Sequence, residues 1–186
     1  LFISLLFCLF NNSVSQIIVN NNNPFNNAIS LVDSILLGGG VVSSNHTFQG
    51  DAIQIGYFNA VNTNLNMDSG IVMSTGDINS LDPNFNGVIN LPVNNVSDPD
   101  LLTVANSVPG LIGQTFSVSG IFDAALLEFD FIPNSDSLVF NYIFGSNEYL
   151  TWVNSEYNDV FGFFISGPGI SGPYSSPPGF PNGSIN

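Results

Sequence analysis

Three acidic side chains lie between two aromatic-rich runs in the stretch FNYIFGSNEYLTWVNSEYNDVFGFFISGPG. Glu148, Glu156 and Asp159 supply carboxylate oxygens, and neighbouring Ser and Asn residues add hydroxyl and amide oxygens. A hard cation such as Ca²⁺ is coordinated by oxygens of this kind at about 2.3–2.6 Å. We therefore treat these three residues as candidate calcium ligands, and add Glu128 and Asp130 from the run LLEFDFIP as further candidates.

The charge balance explains why these carboxylates need attention. The 186 residues include 0 Lys+Arg and 14 Asp+Glu, which gives a formal net charge of -14. A crowded carboxylate must then be balanced by main-chain N–H groups, hydroxyls, water or a bound cation. Sequence-independent binding to nucleic acids and to anionic lipids depends on Lys and Arg. We therefore exclude nucleic acid as a partner and expect no membrane insertion of the mature domain.

Turn formation is the competing explanation for the same acids. Gly, Ser, Asn and Asp at 145–147 and 158–159 are ordinary turn residues. Glu156 can be a solvent-exposed side chain that needs no ligand. For Glu128 and Asp130, the alternative is the solvated face of a strand. Both explanations remain open from the sequence.

Aromatic residues in the same stretch favour a second kind of site. Tyr149, Trp152 and Tyr157 stand near Asn154 in a polar segment. Aromatic faces stack on sugar rings, while amides and carboxylates bind sugar hydroxyls. We therefore take these four residues as a candidate carbohydrate site, with an extracellular glycan or another surface molecule as the expected partner. The alternative is that Trp152 fills one end of the core.

Catalysis has weaker support in the sequence. Two of the acids could act as a glycosidase pair, but their spacing does not place them at either about 5–5.5 Å or about 6.5–9.5 Å. His46 is the one histidine, and no nucleophile-elbow sequence accompanies it. One His without Cys in the mature chain is also a poor set of zinc ligands. We therefore expect a non-catalytic protein.

The pattern of apolar runs predicts a mainly β domain. Side chains in LLEFDFIP alternate between an apolar face and a mixed face, whereas both faces of 138–144 are largely apolar, as in a covered central strand. Two helix signals interrupt the strands: Asn27 before an apolar repeat, and Asp98 followed by Pro99. We predict a two-sheet sandwich or jelly-roll-like domain with two short helices. The predicted strands are GVVSSNHTFQ, AIQIGYF, GIVMSTG, LLEFDFIP, SLVFNYIFG and DVFGFFISG.

Both ends of the sequence differ from its middle. Residues 1–15 are an apolar run followed by small residues, which is typical of a signal peptide whose start is missing. Residues 16–169 form the predicted domain. Residues 170–186 are rich in Pro, Gly and Ser and predict a loop, after which we expect the domain to continue beyond the chain.

Five ordered blocks resemble a known family: IGYFNA, MDSGIVMSTGDI, SDPDL, LEFDFIP and FNYIFGSNEY…YNDVFGFFISGPG. The sequence is similar to the choice-of-anchor L domain of bacterial surface proteins, and the blocks cover most of the mature chain. The resemblance implies a secreted protein, commonly of Bacteroidetes-type gliding bacteria, held at the cell surface through a C-terminal region. Asn147 stands where the family motif would have an acid. The expected function is adhesion or display, with Ca²⁺ as a structural ion.

Overall fold

The computed structural model describes residues 16–37, 39–82, 94–146, 150–157 and 159–186. These residues contain five strands in two antiparallel sheets and two α-helices, which confirms the predicted mainly β class. They divide into two compact units, one from 16–39 and 52–82 and the other from 40–51 and 94–186. The elements are β1 (Ile18–Asn20), α1 (Ala28–Leu31), β2 (Val42–Gln49), β3 (Ile55–Asn59), β4 (Ser69–Met73), α2 (Pro99–Leu111) and β5 (Leu126–Ile132).

The first unit is built around the three-stranded sheet β1-β3-β4. Val19 pairs with Phe58, and Tyr57 pairs with Ile71, so β3 is the central strand. Gly56 on β3 has no room for a side chain, since a Cβ there would lie 2.6 Å from Ile78 Cδ1. The small core beside this sheet consists of the buried side chains of Leu31, Val32, Ile55, Phe58, Ala60 and Ile78.

Helix α1 begins where the sequence predicts it. The Asn27 side chain accepts hydrogen bonds from the main-chain N–H groups of Ile29 and Ser30 at 2.9 and 3.3 Å. The helix continues as a π-helical turn over Val32–Leu36. Its buried residues are Leu31 and Val32, while Ile29 remains exposed. The apolar spacing therefore identified the helix and the burial of Val32, but it did not predict that Ile29 is exposed.

The second unit contains the β2-β5 sheet and helix α2. Ser44 pairs with Asp130 and Thr47 with Glu128, and the register shifts between these pairs. Asn45 at this irregularity has φ 53, a left-handed conformation that Asn tolerates better than most residues. The irregularity places one extra β2 residue between these two pairs, while Glu128 and Asp130 share a face because side chains alternate along β5.

Helix α2 has the start signal that the sequence predicts. Asp98 accepts a hydrogen bond from the Leu101 N–H at 2.8 Å, and Pro99 is the first helical residue. Proline is compatible with that position because its missing N–H would have no partner inside the helix. The helix buries Leu101, Val104, Ala105 and Pro109.

Two predicted strands, SLVFNYIFG and DVFGFFISG, are not regular strands in the structure. Their rings nevertheless lie side by side: Phe140 and Phe163 have centroids 4.3 Å apart, and Tyr142 and Phe161 have centroids 5.5 Å apart. This pairing is antiparallel in order, but it rests on side chains rather than on a hydrogen-bonded ladder. The Phe163 N–H donates to the Asn186 side chain at 2.7 Å. The strand prediction was wrong here because apolar alternation carries no information about which backbone group is the partner.

The segment 170–186 has no helix or extended strand but makes defined contacts within the second unit. Isolated antiparallel bridges join Ile165 to Ile185 and Tyr174 to Ser184. The N–H of Ser175 donates to both carboxylate oxygens of Asp100, each at 3.0 Å. Asp100 therefore binds this segment as well as lying in the first turn of α2.

Candidate functional site

The two acids of β5 lie on the exposed face of their strand. Glu128 and Asp130 are exposed, whereas Leu127, Phe129 and Phe131 are half-buried, which is the predicted alternation. Asn45 donates to Asp130 at 2.6 Å. Hydrogen bonds from Thr47 and Gln49 reach Glu128 at 3.4 and 3.3 Å. The side chains of β2 therefore supply neutral hydrogen-bond donors to both carboxylates.

Four of the other candidate residues, Trp152, Asn154, Glu156 and Tyr157, lie in the turn that follows the first aromatic run. In this turn, the Ser155 N–H and hydroxyl both donate to the Trp152 carbonyl, at 3.2 and 2.7 Å. The Tyr157 N–H donates to the Ser155 hydroxyl at 3.2 Å. Asn154 adopts φ 60, the left-handed conformation that such a tight turn uses. We call residues 152–157 the aromatic turn.

The aromatic turn presents two rings to solvent. The Trp152 and Tyr157 rings are 5.4 Å apart at an interplanar angle of 68°, an edge-to-face arrangement. Trp152 is 44% exposed and Tyr157 is 64% exposed. Trp152 thus keeps a large part of its surface in water instead of filling a core. The two rings contact each other, and the rest of their surface is exposed to solvent.

The acids near the aromatic turn have different surroundings. Glu156 lies inside the turn and is exposed. Asp159 is also exposed as a residue, but partial burial of its carboxyl raises its pKa above the ordinary value. A raised pKa means that desolvation by burial disfavours the charged form of this carboxyl. Binding of a cation would favour the charged form of this carboxylate.

Two of the predicted site residues, Glu148 and Tyr149, lie outside the described residues, as does Asn147. Among the residues that the structure describes, no group of three His, Cys, Asp or Glu side chains converges as a metal site would require. Four of the five candidate calcium ligands can be placed, and these four do not converge on one site. Glu128 and Asp130 form one pair, while Glu156 and Asp159 belong to the aromatic turn and its C-terminal flank.

Exposed apolar side chains near the aromatic turn were not predicted as site residues. Tyr142, Ile143 and Phe144 are exposed, although the sequence predicts a strand covered on both sides. Tyr142 and Phe144 both contact Phe161. The density of aromatic residues was the available signal, but a dense aromatic run indicates a core as readily as a binding surface.

No helix in the described part of the chain is both long enough and apolar enough to cross a membrane. Helix α2, the longest, has 13 residues.

Comparison with known proteins identifies the family. The family model for the choice-of-anchor L domain matches residues 18–179, which extends past the predicted domain boundary at 169. Searches of curated proteins and of solved structures gave no match to this chain. The family indicates a non-catalytic extracellular module of a cell-surface protein. Since the match covers most of the sequence, the chain belongs to the choice-of-anchor L domain family.

Proposed function

We propose that this domain is an adhesion module displayed at the surface of a Bacteroidetes-type cell, and that the aromatic turn binds carbohydrate. The observation that carries the proposal is the exposed edge-to-face pair of Trp152 and Tyr157. The two rings are held in contact while Trp152 keeps 44% and Tyr157 keeps 64% of its surface exposed, which supports a binding role.

The chemistry of the turn fits a sugar. A pyranose ring has an apolar face of C–H groups, which stacks on an exposed indole or phenol ring. Asn154 and Glu156 in the same turn are exposed and supply polar groups for the sugar hydroxyls. A few polar groups around an apolar platform is the composition typical of small-ligand sites.

The test is a titration of the full chain with neutral oligosaccharides. Trp152 is the one tryptophan of the sequence, so its fluorescence reports directly on the candidate site. Oligosaccharide binding should change the Trp152 fluorescence. Calorimetry should show that Tyr157→Ala abolishes or strongly weakens oligosaccharide binding. Tyr142→Ala is the matched control, because Tyr142 is a similarly exposed tyrosine outside the turn. Equal loss of binding in both variants, or no binding by the unchanged chain to any oligosaccharide, would remove the proposal.

Calcium is a second proposal, supported by electrostatics. The chain has no Lys or Arg to balance its carboxylates, and the pKa of Asp159 is raised by desolvation. A divalent ion bound by Glu156, Asp159 and Glu148 would favour their charged forms and tie the flanks of the turn together. Hydrogen bonds from β2 make Glu128 and Asp130 weaker candidates, because they already have donors.

Thermal unfolding with calcium and with a chelator tests this second proposal. Calcium should raise the unfolding temperature of the unchanged chain but not that of Asp159→Asn. Asp136→Asn is the control, since it removes one exposed acid elsewhere in the second unit. Superimposable curves with calcium and chelator, together with no binding heat in calorimetry, would exclude the ion.

A further inference from the structure

The ligand class can be narrowed by the charges around the aromatic turn. Glu156 is exposed and directly precedes Tyr157, and Asp159 follows two residues later. The chain has 14 acids and no Lys or Arg, so no cationic side chain competes for these carboxylates or for the ring faces. The turn is therefore an aromatic platform in a negative potential, which attracts cations and repels anions.

Building on the carbohydrate-binding function proposed above, we propose that the aromatic turn selects sugars that carry a free, protonated amino group. Such a ligand combines a pyranose face for Trp152 or Tyr157 with an ammonium group. Ammonium groups bind the faces of Trp and Tyr through cation–π attraction. They also form charge-assisted hydrogen bonds with a carboxylate such as Glu156.

The same reasoning ranks the competing sugars. N-acetylation removes the positive charge, so an N-acetylated sugar retains stacking but loses both the cation–π and the carboxylate contributions. A neutral glucose oligomer should bind in the same way as the acetylated one. Uronic acids and other anionic sugars should bind most weakly, because the chain offers them no cation.

Three oligosaccharides of equal length test whether the amino group, and not only the sugar ring, determines affinity. The full chain would be titrated by calorimetry, in chelator and at a pH where sugar amines are protonated, with glucosamine trimer, N-acetylglucosamine trimer and cellotriose. The amine-bearing trimer should bind about tenfold more tightly than the other two, which corresponds to one favourable exposed cation–π and carboxylate contact. Trp152→Ala should abolish binding of all three.

Glu156→Gln tests the source of the selectivity. This variant should show a smaller preference for glucosamine trimer and unchanged binding of the other two trimers, because it removes the carboxylate contribution and retains the rings. Asp136→Asn makes the same charge change at an exposed acid outside the turn and should retain the preference. Trilysine carries the charge without the sugar rings and should bind more weakly than glucosamine trimer.

The outcomes distinguish this inference from the function on which it rests. Equal binding of the three trimers, abolished by Trp152→Ala, would overturn the amine preference and leave carbohydrate binding intact. A preference that is equally reduced by Asp136→Asn, or matched by trilysine, would overturn it as general electrostatic attraction. Absence of binding by every trimer would overturn both proposals.

Discussion

The sheet of the first unit and the aromatic-rich segments of the second unit use similar apolar residues in opposite ways. In the first unit, Ile55, Phe58 and Ile78 are buried around β3. In the second unit, Tyr142 and Phe161 stack on each other but remain exposed. Composition is therefore a poor guide to role in this chain. What separates the two regions is whether a hydrogen-bonded ladder holds the backbone while the side chains pack.

The contrast has an energetic meaning. Truncating a buried side chain loses the free energy gained by moving its apolar atoms out of water and leaves a cavity. Truncating an exposed side chain changes the free energy of unfolding little. The first region should therefore be sensitive in stability and insensitive in binding. The aromatic turn should show the reverse, and substitutions in matched pairs can test this difference.

The largest expected effect comes from truncating the first unit's core. Ile78 is 0% exposed, so Ile78→Ala should lower the free energy of unfolding by about 2–5 kcal/mol. Ile143 is 51% exposed, and Ile143→Ala should change it by less than about 1 kcal/mol. Urea denaturation followed by circular dichroism measures both. Equal losses would show that 143 is part of a packed core.

Two glycines provide the next comparison. Gly56→Ala should destabilise the chain by about 1–3 kcal/mol, because the new Cβ would lie 2.6 Å from Ile78 Cδ1 and 2.8 Å from the Asn20 carbonyl oxygen. Gly110 in α2 has nothing within 4 Å of its potential Cβ. Gly110→Ala should instead stabilise by about 0.5–1 kcal/mol, since alanine favours helix. Urea midpoints that move in the same direction would contradict this assignment.

Loss of the α2 cap should have a moderate effect. Asp98→Ala removes the acceptor of the Leu101 N–H and should cost about 1 kcal/mol. Asp136→Ala removes an exposed acid outside any helix and should cost less. Thermal unfolding of the two variants, recorded in parallel, checks the difference. A larger loss from Asp136→Ala would argue against capping as the main role of Asp98.

The smallest expected effect depends on pH. The native pKa of Asp159 is raised, so the folded state binds more protons than the unfolded state between the ordinary and the raised pKa. Stability contributed by the protonated group is present at low pH and is lost as the pH rises through that window. In chelator, Asp159→Asn should therefore stabilise the chain at neutral pH, by less than about 0.5 kcal/mol because the residue is exposed.

The same variant should match the unchanged chain well below about pH 3.9, where the carboxyl is protonated in both states. Urea denaturation at acidic and neutral pH measures this difference. Destabilisation by Asp159→Asn at neutral pH in chelator would contradict the desolvation of this carboxyl. With calcium, destabilisation is the expected result if the ion binds there.

The sequence predicted the features that depend on local chemistry. The caps at Asn27 and Asp98 follow from side-chain oxygens next to helical apolar repeats. The exposed position of Glu128 and Asp130 follows from strand alternation. Their hydrogen-bond donors could not be predicted, because these depend on the register with β2 and on the bulged position at Asn45.

Features that depend on distant partners were not predictable. The run 138–144 has apolar residues on both faces, which fits a covered strand, yet all of its side chains except the half-buried Phe140 are exposed. Alternation reports only which residues share a face, not whether another element covers that face. For the candidate site, the sequence identified Trp152 and Tyr157 but could not show that their rings contact each other while remaining exposed to solvent.

The most direct test of the account is a single calorimetric titration of Trp152→Ala with glucosamine trimer, beside its urea unfolding curve. We predict that the variant unfolds within about 1 kcal/mol of the unchanged chain, because Trp152 is 44% exposed, and that it releases no binding heat. Retained sugar binding would contradict the assignment of the aromatic turn as a binding surface. So would a loss of several kcal/mol in stability, because it would mean that Trp152 belongs to the core.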